Sequence, residues 1–250
     1  MAPLHSGHLR PAGVAAAFAY EPPSLNRAWE AFVAHLPTLL VIWLITMAIT
    51  AVGGGVSLLF ALLGVSLGGA DPAALTQGAL DPTGAAAQMA LLLGQLGQVP
   101  FAILSSLVGV LLVAVPALHY ETGTTITVSE ALRILQDRPM RYLLAGLFFA
   151  LVTCVGLLLC LLPGFAVLLV APVYVNRIFA TDQGVLDAFA SSFQAVFRSP
   201  HGMAFVGVQA LVGTVVLVVS ICTCGLAALV AIPVGNFYIQ NSAYHQGVIS

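Results

Sequence analysis

The sequence predicts an all-α, polytopic membrane helix bundle, with six transmembrane helices arranged as three hairpin repeats and short interfacial amphipathic helices between them. Three observations carry that expectation. The 250 residues are 60% hydrophobic and only 6% charged, with a mean hydropathy of +1.05. A soluble domain carries about 25% charged residues, and disordered chains are polar and charged, so both classes are excluded. Six apolar runs reach the roughly 17–25 residues that a spanning helix needs. With six spans, all seven basic residues, every one an arginine, fall on one side of the membrane.

The runs are Leu39 to Leu67, Phe101 to Tyr120, Tyr142 to Leu162, Gly164 to Ala180, Met203 to Thr223 and Gly225 to Asn241. The first is long enough to tilt, and Gly53-Gly54-Gly55 inside it reads as a bend. Between the first and second, DPAAL and DPTG mark turns, and Ala85 to Leu96 reads as a short helix lying on the membrane. The third and fourth runs meet at Pro163-Gly164, and the fifth and sixth at Cys224-Gly225. Glycine accepts positive φ and proline cannot continue the preceding helix, so both junctions read as tight turns.

Amphipathic stretches precede each hairpin. Leu25, Ala28, Trp29, Phe32, Val33 and Leu36 recur at helical spacing, with Ser24 as N-cap and Pro37 behind them. Val128, Ala131, Leu132 and Leu135 repeat the pattern, and Thr127 with Glu130 forms a capping box, each side chain satisfying an orphan amide of the first turn. Leu186, Phe189, Phe193 and Phe197 repeat it again, ahead of Pro200. Such helices lie in the headgroup plane or pack on the bundle from water. The unit of amphipathic helix, proline, span, turn and span thus occurs three times. Its even helices end near Gly123, Gly184 and Gly247. Residues 1–23 read as a flexible tail and 24–247 as one transmembrane domain.

Orientation follows from Arg10, Arg27, Arg133, Arg138, Arg141, Arg177 and Arg198. The positive-inside rule puts their side, and both termini, in the cytoplasm. The expected location is a bacterial inner, or other energy-transducing, membrane.

The stretch LLPGFAVLLVAPVYVNRIFATDQGVLDAFASSF resembles a superfamily of bacterial membrane proteins that includes YciC-like proteins and the membrane domain attached to some glycerophosphoryl diester phosphodiesterases. The resemblance rests on Pro163-Gly164, Asp182, Gly184, Ala188 and Ser192, and covers roughly residues 140–247. It implies a six-helix bundle and no established activity. The phosphodiesterase catalytic domain is not in this sequence, so that activity does not carry over.

No catalytic constellation is legible. No Asp or Glu falls inside the six runs, which argues against a proton relay, and Ser105-Ser106 has no identifiable base. The six histidines form no HExxH or similar pair, and with a formal net charge of −2 there is no basic face for nucleic acid. No cofactor and no metal are expected. Cys160 could pair with Cys222 or Cys224 in an oxidising compartment, or all could be small packing residues.

The candidate site is a polar cluster of Asn176, Arg177, Asn236 and Gln240. Pro172 and Pro233 each follow a turn glycine by eight residues, about 12 Å of rise, and each frees a carbonyl one turn back. Arg177, about 20 Å deep by the same rise, needs a partner or must snorkel. The two asparagines are expected to face the bundle interior, as a polar cavity or as interhelical hydrogen bonds. The expected function is that of a non-catalytic accessory or membrane-organising protein acting through membrane lipids or other membrane proteins. The alternative is a transporter or channel for a small or lipophilic solute, because transporters use broken helices around a midplane site.

Overall fold

The computed structural model describes residues 15–159 and 161–249. After a single 3₁₀ turn at Ala17–Tyr20, these residues form ten α-helices. They are α1 (Leu25–Leu67), α2 (Ala73–Thr76), α3 (Ala85–Gly109), α4 (Leu111–Thr122), α5 (Val128–Asp137), α6 (Pro139–Leu159), α7 (Leu161–Ala180), α8 (Val185–Arg198), α9 (Gly202–Cys222) and α10 (Ala228–His245). Five helical segments are long and apolar enough to cross a membrane: α1, the run Ala85–Thr122 that joins α3 to α4, α6, α7 and α9. The protein is an all-α, multi-span membrane protein. The sixth expected span forms as helix α10 but is not among the five. From its middle to its C-terminal end it carries Asn236, Gln240, Asn241, Ser242 and His245.

The chain divides into two compact units, Met1–Leu40 with Val110–Ser250, and Val41–Gly109. In the first, α4, α7 and α10 pack on one another, α6 flanks α7, α9 flanks α10, and α8 lies against α7 and α9. Each of the three inner helices contains a proline, Pro116, Pro172 and Pro233. Burial follows this order. Most of α4 is inaccessible, whereas α6 buries only Tyr142, Ala145 and Gly156, and α9 only Gly202, Phe205 and Gln209. The outer helices expose leucine and valine. In lipid, an apolar surface is the one that needs no partner.

The second unit is a helical hairpin. The residues of α1 beyond Leu40 pair with α3, joined through residues 68–84 and the short α2. Small residues let the backbones touch. A Cβ on Gly64 would lie 2.7 Å from the Ala90 Cα, too close for any side chain. Such close approach is what holds apolar helices together in lipid.

Several expected boundaries shift. Pro37 does not end the first amphipathic stretch, because α1 runs through it. Ending a helix in an apolar surrounding strands up to four carbonyls, whereas a proline inside it frees one. Ala85 to Leu96 is not a separate surface helix but the start of α3, which continues through Pro100. Pro163 and Gly164 lie in the first turn of α7 rather than between the helices. Proline fits there because its missing N–H would have no helical partner. A Cβ added to Gly156 of α6 would come within 3.0 Å of the Gly164 Cα. Gly184 precedes α8 as its N-cap with φ −59°, while Gly123 closes α4 at φ +72° in the left-handed cap that glycine favours. The turn at Cys224-Gly225 forms as expected, both residues at positive φ, and so does the Thr127–Glu130 capping box.

Of the expected tail, residues 1–14 lie outside the described part. From Ala15 onward the chain is held. The Ala16 N–H donates to the Tyr120 carbonyl at 3.1 Å.

Candidate polar site in the inner helices

Helices α7 and α10 face each other in a fixed register. The Gln240 Nε2 donates to the Pro172 carbonyl at 2.9 Å, and one turn further along both helices the Asn176 Nδ2 donates to the Tyr244 hydroxyl at 2.8 Å. Tyr244 in turn donates to Glu121 Oε2 of α4 at 2.7 Å. One chain of hydrogen bonds therefore ties all three inner helices. Asn176, Gln240 and Tyr244 are buried. Outer helices join from both sides. Gln209 of α9 donates to the Leu169 carbonyl at 2.8 Å, in the turn that Pro172 loosens, and Tyr174 donates to the Ala145 carbonyl of α6 at 3.0 Å.

The C-terminal end of α10 anchors the N-terminal segment. Asn241 Nδ2 donates to the carbonyls of Ala19 at 2.8 Å and Glu21 at 3.2 Å, and the His245 Nδ1 lies 2.9 Å from the Tyr20 carbonyl. Arg27 pairs with Glu21 at 2.9 Å. Beside them, His35 is fully buried. Its Nδ1 contacts the Ala31 carbonyl at 2.7 Å and its Nε2 accepts the Ile126 N–H at 3.0 Å. Only the neutral ring protonated on Nδ1 satisfies both neighbours. Thr38 donates to the Ile126 carbonyl at 2.9 Å. The segment around Pro37 is thus pinned to the loop after α4 from both sides of the proline.

Of the four residues singled out from sequence, Asn176 and Gln240 come together around Pro172. Asn236 and Arg177 do not join them. Both are half-buried, and neither side chain makes a hydrogen bond or ion pair with another described residue. Arg177 sits in the last turn of α7, where its side chain has the shortest route to the headgroups. Sequence reasoning missed Tyr244 and Glu121. Glu121 stood outside the second apolar run, yet α4 extends through it. Tyr244 was within reach of a spacing argument, since it follows Gln240 by one turn as Asn176 follows Pro172.

At the junctions outside the spans the charges pair. Asp182, between α7 and α8, binds Arg138 and lies 4.0 Å from Arg141. The Arg138 guanidinium holds its carboxyl below the usual aspartate range. Arg141 also donates to the Thr181 carbonyl.

Among the described residues no three His, Cys, Asp or Glu side chains gather as a metal would require. Cys154, Cys222 and Cys224 are exposed, and Cys160 lies outside the described residues. The inner cluster has donors and acceptors, among them the Tyr244 hydroxyl beside the Glu121 carboxylate. Its chemistry is interhelical hydrogen bonding, with one buried acceptor, Gln240 Oε1, left without a partner. No family model, no curated protein and no solved structure matches the chain.

Proposed function

We propose that the chain is a non-catalytic membrane protein that organises or accompanies other membrane components, acting through lipid or protein contacts. The observation that carries this reading is the mutual satisfaction of the inner polar groups. Asn176, Tyr244, Glu121, Gln209 and Asn241 bond to one another or to backbone carbonyls, and the outer helices present apolar side chains. A solute path needs polar groups that face a lumen. The proposal takes α10 as a sixth span, sheltered by its neighbours. It takes the order short helix, long helix, long helix in α5–α6–α7 and α8–α9–α10 as two units of a threefold repeat. Both termini are then cytoplasmic, in a bacterial inner or comparable membrane. The resemblance over residues 140–247 agrees with a bundle of this kind.

A specific feature favours transport as the second reading. Gln240 Oε1 is a buried, unpartnered acceptor in the region of Pro172, as a midplane site would offer. Flux measurements on the protein in liposomes separate the two. Small neutral and charged solutes should cross no faster than through protein-free vesicles. A flux that Asn176→Leu abolishes in a folded protein would overturn the accessory reading. Cysteine labelling tests the topology, with position 81 expected outside and position 137 inside.

A further inference from the structure

His35 lies in α1 two residues before Pro37 and is fully buried. Its Nδ1 is 2.7 Å from the Ala31 carbonyl, and its Nε2 accepts at 3.0 Å the N–H of Ile126, 91 residues further along the chain. Two other histidine rings are bonded among the described residues. His119 meets the Thr124 carbonyl and His245 the Tyr20 carbonyl. A carbonyl accepts from a neutral ring and from a protonated one alike. Of these three, His35 alone also receives an N–H, so its bonding alone requires a ring nitrogen to stay bare.

The surroundings offer nothing that would steady a charge on His35. Facing it are the His119 ring of α4, edge-on at 4.8 Å, the Phe237 ring of α10 at 5.3 Å, and the Ile126 amide of the loop. Behind His119 stand Phe18 of the 3₁₀ turn and Tyr120. No described carboxylate pairs with either histidine. The carboxylates of this region are engaged elsewhere or exposed. Glu21 pairs with Arg27, Glu121 accepts from Tyr244, Glu130 accepts from Thr127, and Glu30 of α1 is exposed. A proton on Nε2 would set two donors head-on, beside a second imidazole and without a counter-ion. Both the lost acceptor and the buried charge oppose that state.

We infer that His35 is an acid-released latch, whose protonation on Nε2 parts α1 from the loop 123–127 between α4 and α5. In the closed form the ring is neutral. In the open form it is solvated and takes a proton in the ordinary histidine range, near about 6.5. The form that binds the proton gains as pH falls, so acid favours opening and base reverses it. With one proton taken up by the open form only, the ratio of open to closed rises about tenfold between pH 7.5 and pH 5.5. The Thr38 hydroxyl donates to the Ile126 carbonyl at 2.9 Å. That bond involves no titrating group, and it draws the loop back once the ring loses its proton.

The test uses the full chain in lipid nanodiscs with its histidines labelled by ¹⁵N. At pH 7.5 the His35 ring should be the neutral Nδ1–H tautomer. Amide exchange at Ile126, corrected for the intrinsic pH dependence of exchange, should rise about tenfold on going to pH 5.5, while exchange in α7 and α10 stays as it was. Glu130 is silent in this window, because its bonds to the Thr127 N–H and hydroxyl hold its carboxyl below the ordinary glutamate range. His35→Gln offers a carbonyl to the Ile126 N–H and cannot titrate, so it should stay closed at both pH values. His119→Gln should keep the response. In the parent chain the ring signals should pass to the doubly protonated form in step with the exchange, which decides the matter even where a variant fails to fold. The inference fails if His35 is the Nε2–H tautomer at neutral pH, or if Ile126 exchange in the parent does not respond. It fails equally if the rise persists in His35→Gln or vanishes in His119→Gln.

Discussion

The two units treat amides in opposite ways. In the first, Asn176, Gln240 and Asn241 of the inner helices and Gln209 of α9 sit in apolar surroundings and each donates to a partner on another segment. In the hairpin of the second, Gln88, Gln95 and Gln98 sit in equally apolar sequence and donate to none of the described residues. Composition cannot separate these cases, since both read as a polar residue interrupting a span. Geometry can. The first group lies on helix faces turned toward neighbours and bonds the bundle together. In the second group Gln88 and Gln95 are exposed and bonded to none of the described residues. A substitution should therefore destabilise the fold in the first group and leave it alone in the second.

The largest effect is expected at Asn241. Replacing it by leucine removes the donor from the Ala19 and Glu21 carbonyls and leaves the buried Ala19 carbonyl unpaired. The cost should be about 2–4 kcal/mol, read as unfolding in mixed micelles under rising denaturing detergent. The segment 15–23 should become open to protease at the same time. If Asn241→Leu unfolds like the parent chain, these hydrogen bonds do not hold the segment.

Asn176 and Asn236 sharpen the comparison because sequence treated them alike. Asn176→Leu breaks the link to Tyr244 inside the bundle and should cost about 1–3 kcal/mol. Asn236, half-buried and without a bonded partner, should tolerate leucine within about 0.5 kcal/mol. Equal losses at both positions would mean that the register between α7 and α10 is set by something other than the Asn176–Tyr244 bond.

How far the sequence could be read follows from the range of the forces involved. Thr127 and Glu130 were legible because a capping box needs only residues three apart. The turn at Cys224-Gly225 was legible because it needs only local φ. Pro163 was read between two helices although it lies in the first turn of the second, and Pro37 was misread as a boundary by a rule that holds in water, where a freed carbonyl finds solvent and ending a helix costs little. In the bundle the helix continues, since one freed carbonyl is cheaper than four. The candidate site was legible in half. Asn176 and Gln240 were reached because each follows a proline in its own helix, Pro172 and Pro233. Tyr244, one turn after Gln240, was within reach of spacing, but Glu121 belongs to α4, and nothing local reveals that this helix meets α10. Asn236 and Arg177 obeyed the same local reasoning and found no partner among the described residues.

Thr127→Ala is the next smaller effect. It removes the side chain that accepts the Glu130 N–H and holds its carboxylate. Loss of a cap costs about 1 kcal/mol, and amide exchange in the first turn of α5 should rise accordingly. In the second unit, Gln88→Leu with Gln95→Leu should change the unfolding of the chain by no more than about 0.5 kcal/mol. A larger loss would place these glutamines in the first group after all.

The smallest effect concerns charge at the junctions. Asp182 is fully exposed and its carboxyl is held below the ordinary aspartate range, first by the hydrogen bond from Arg138 and then by the charges of Arg138 and Arg141. A carboxylate with a lowered folded-state pKa adds stability above its unfolded pKa and loses that contribution as pH falls through the folded one. The tie between the end of α7 and the start of α6 should therefore hold at neutral pH and loosen only below the ordinary aspartate range. Salt screens an exposed pair of this kind, so raising the ionic strength at neutral pH should loosen it too. Amide exchange at Thr181 to Gln183 measures both. Asp182→Asn should remove the pH response while leaving the Arg141 bond to the Thr181 carbonyl in place. If exchange there were unchanged by acid, salt and Asp182→Asn alike, the Arg141 bond alone would account for the junction.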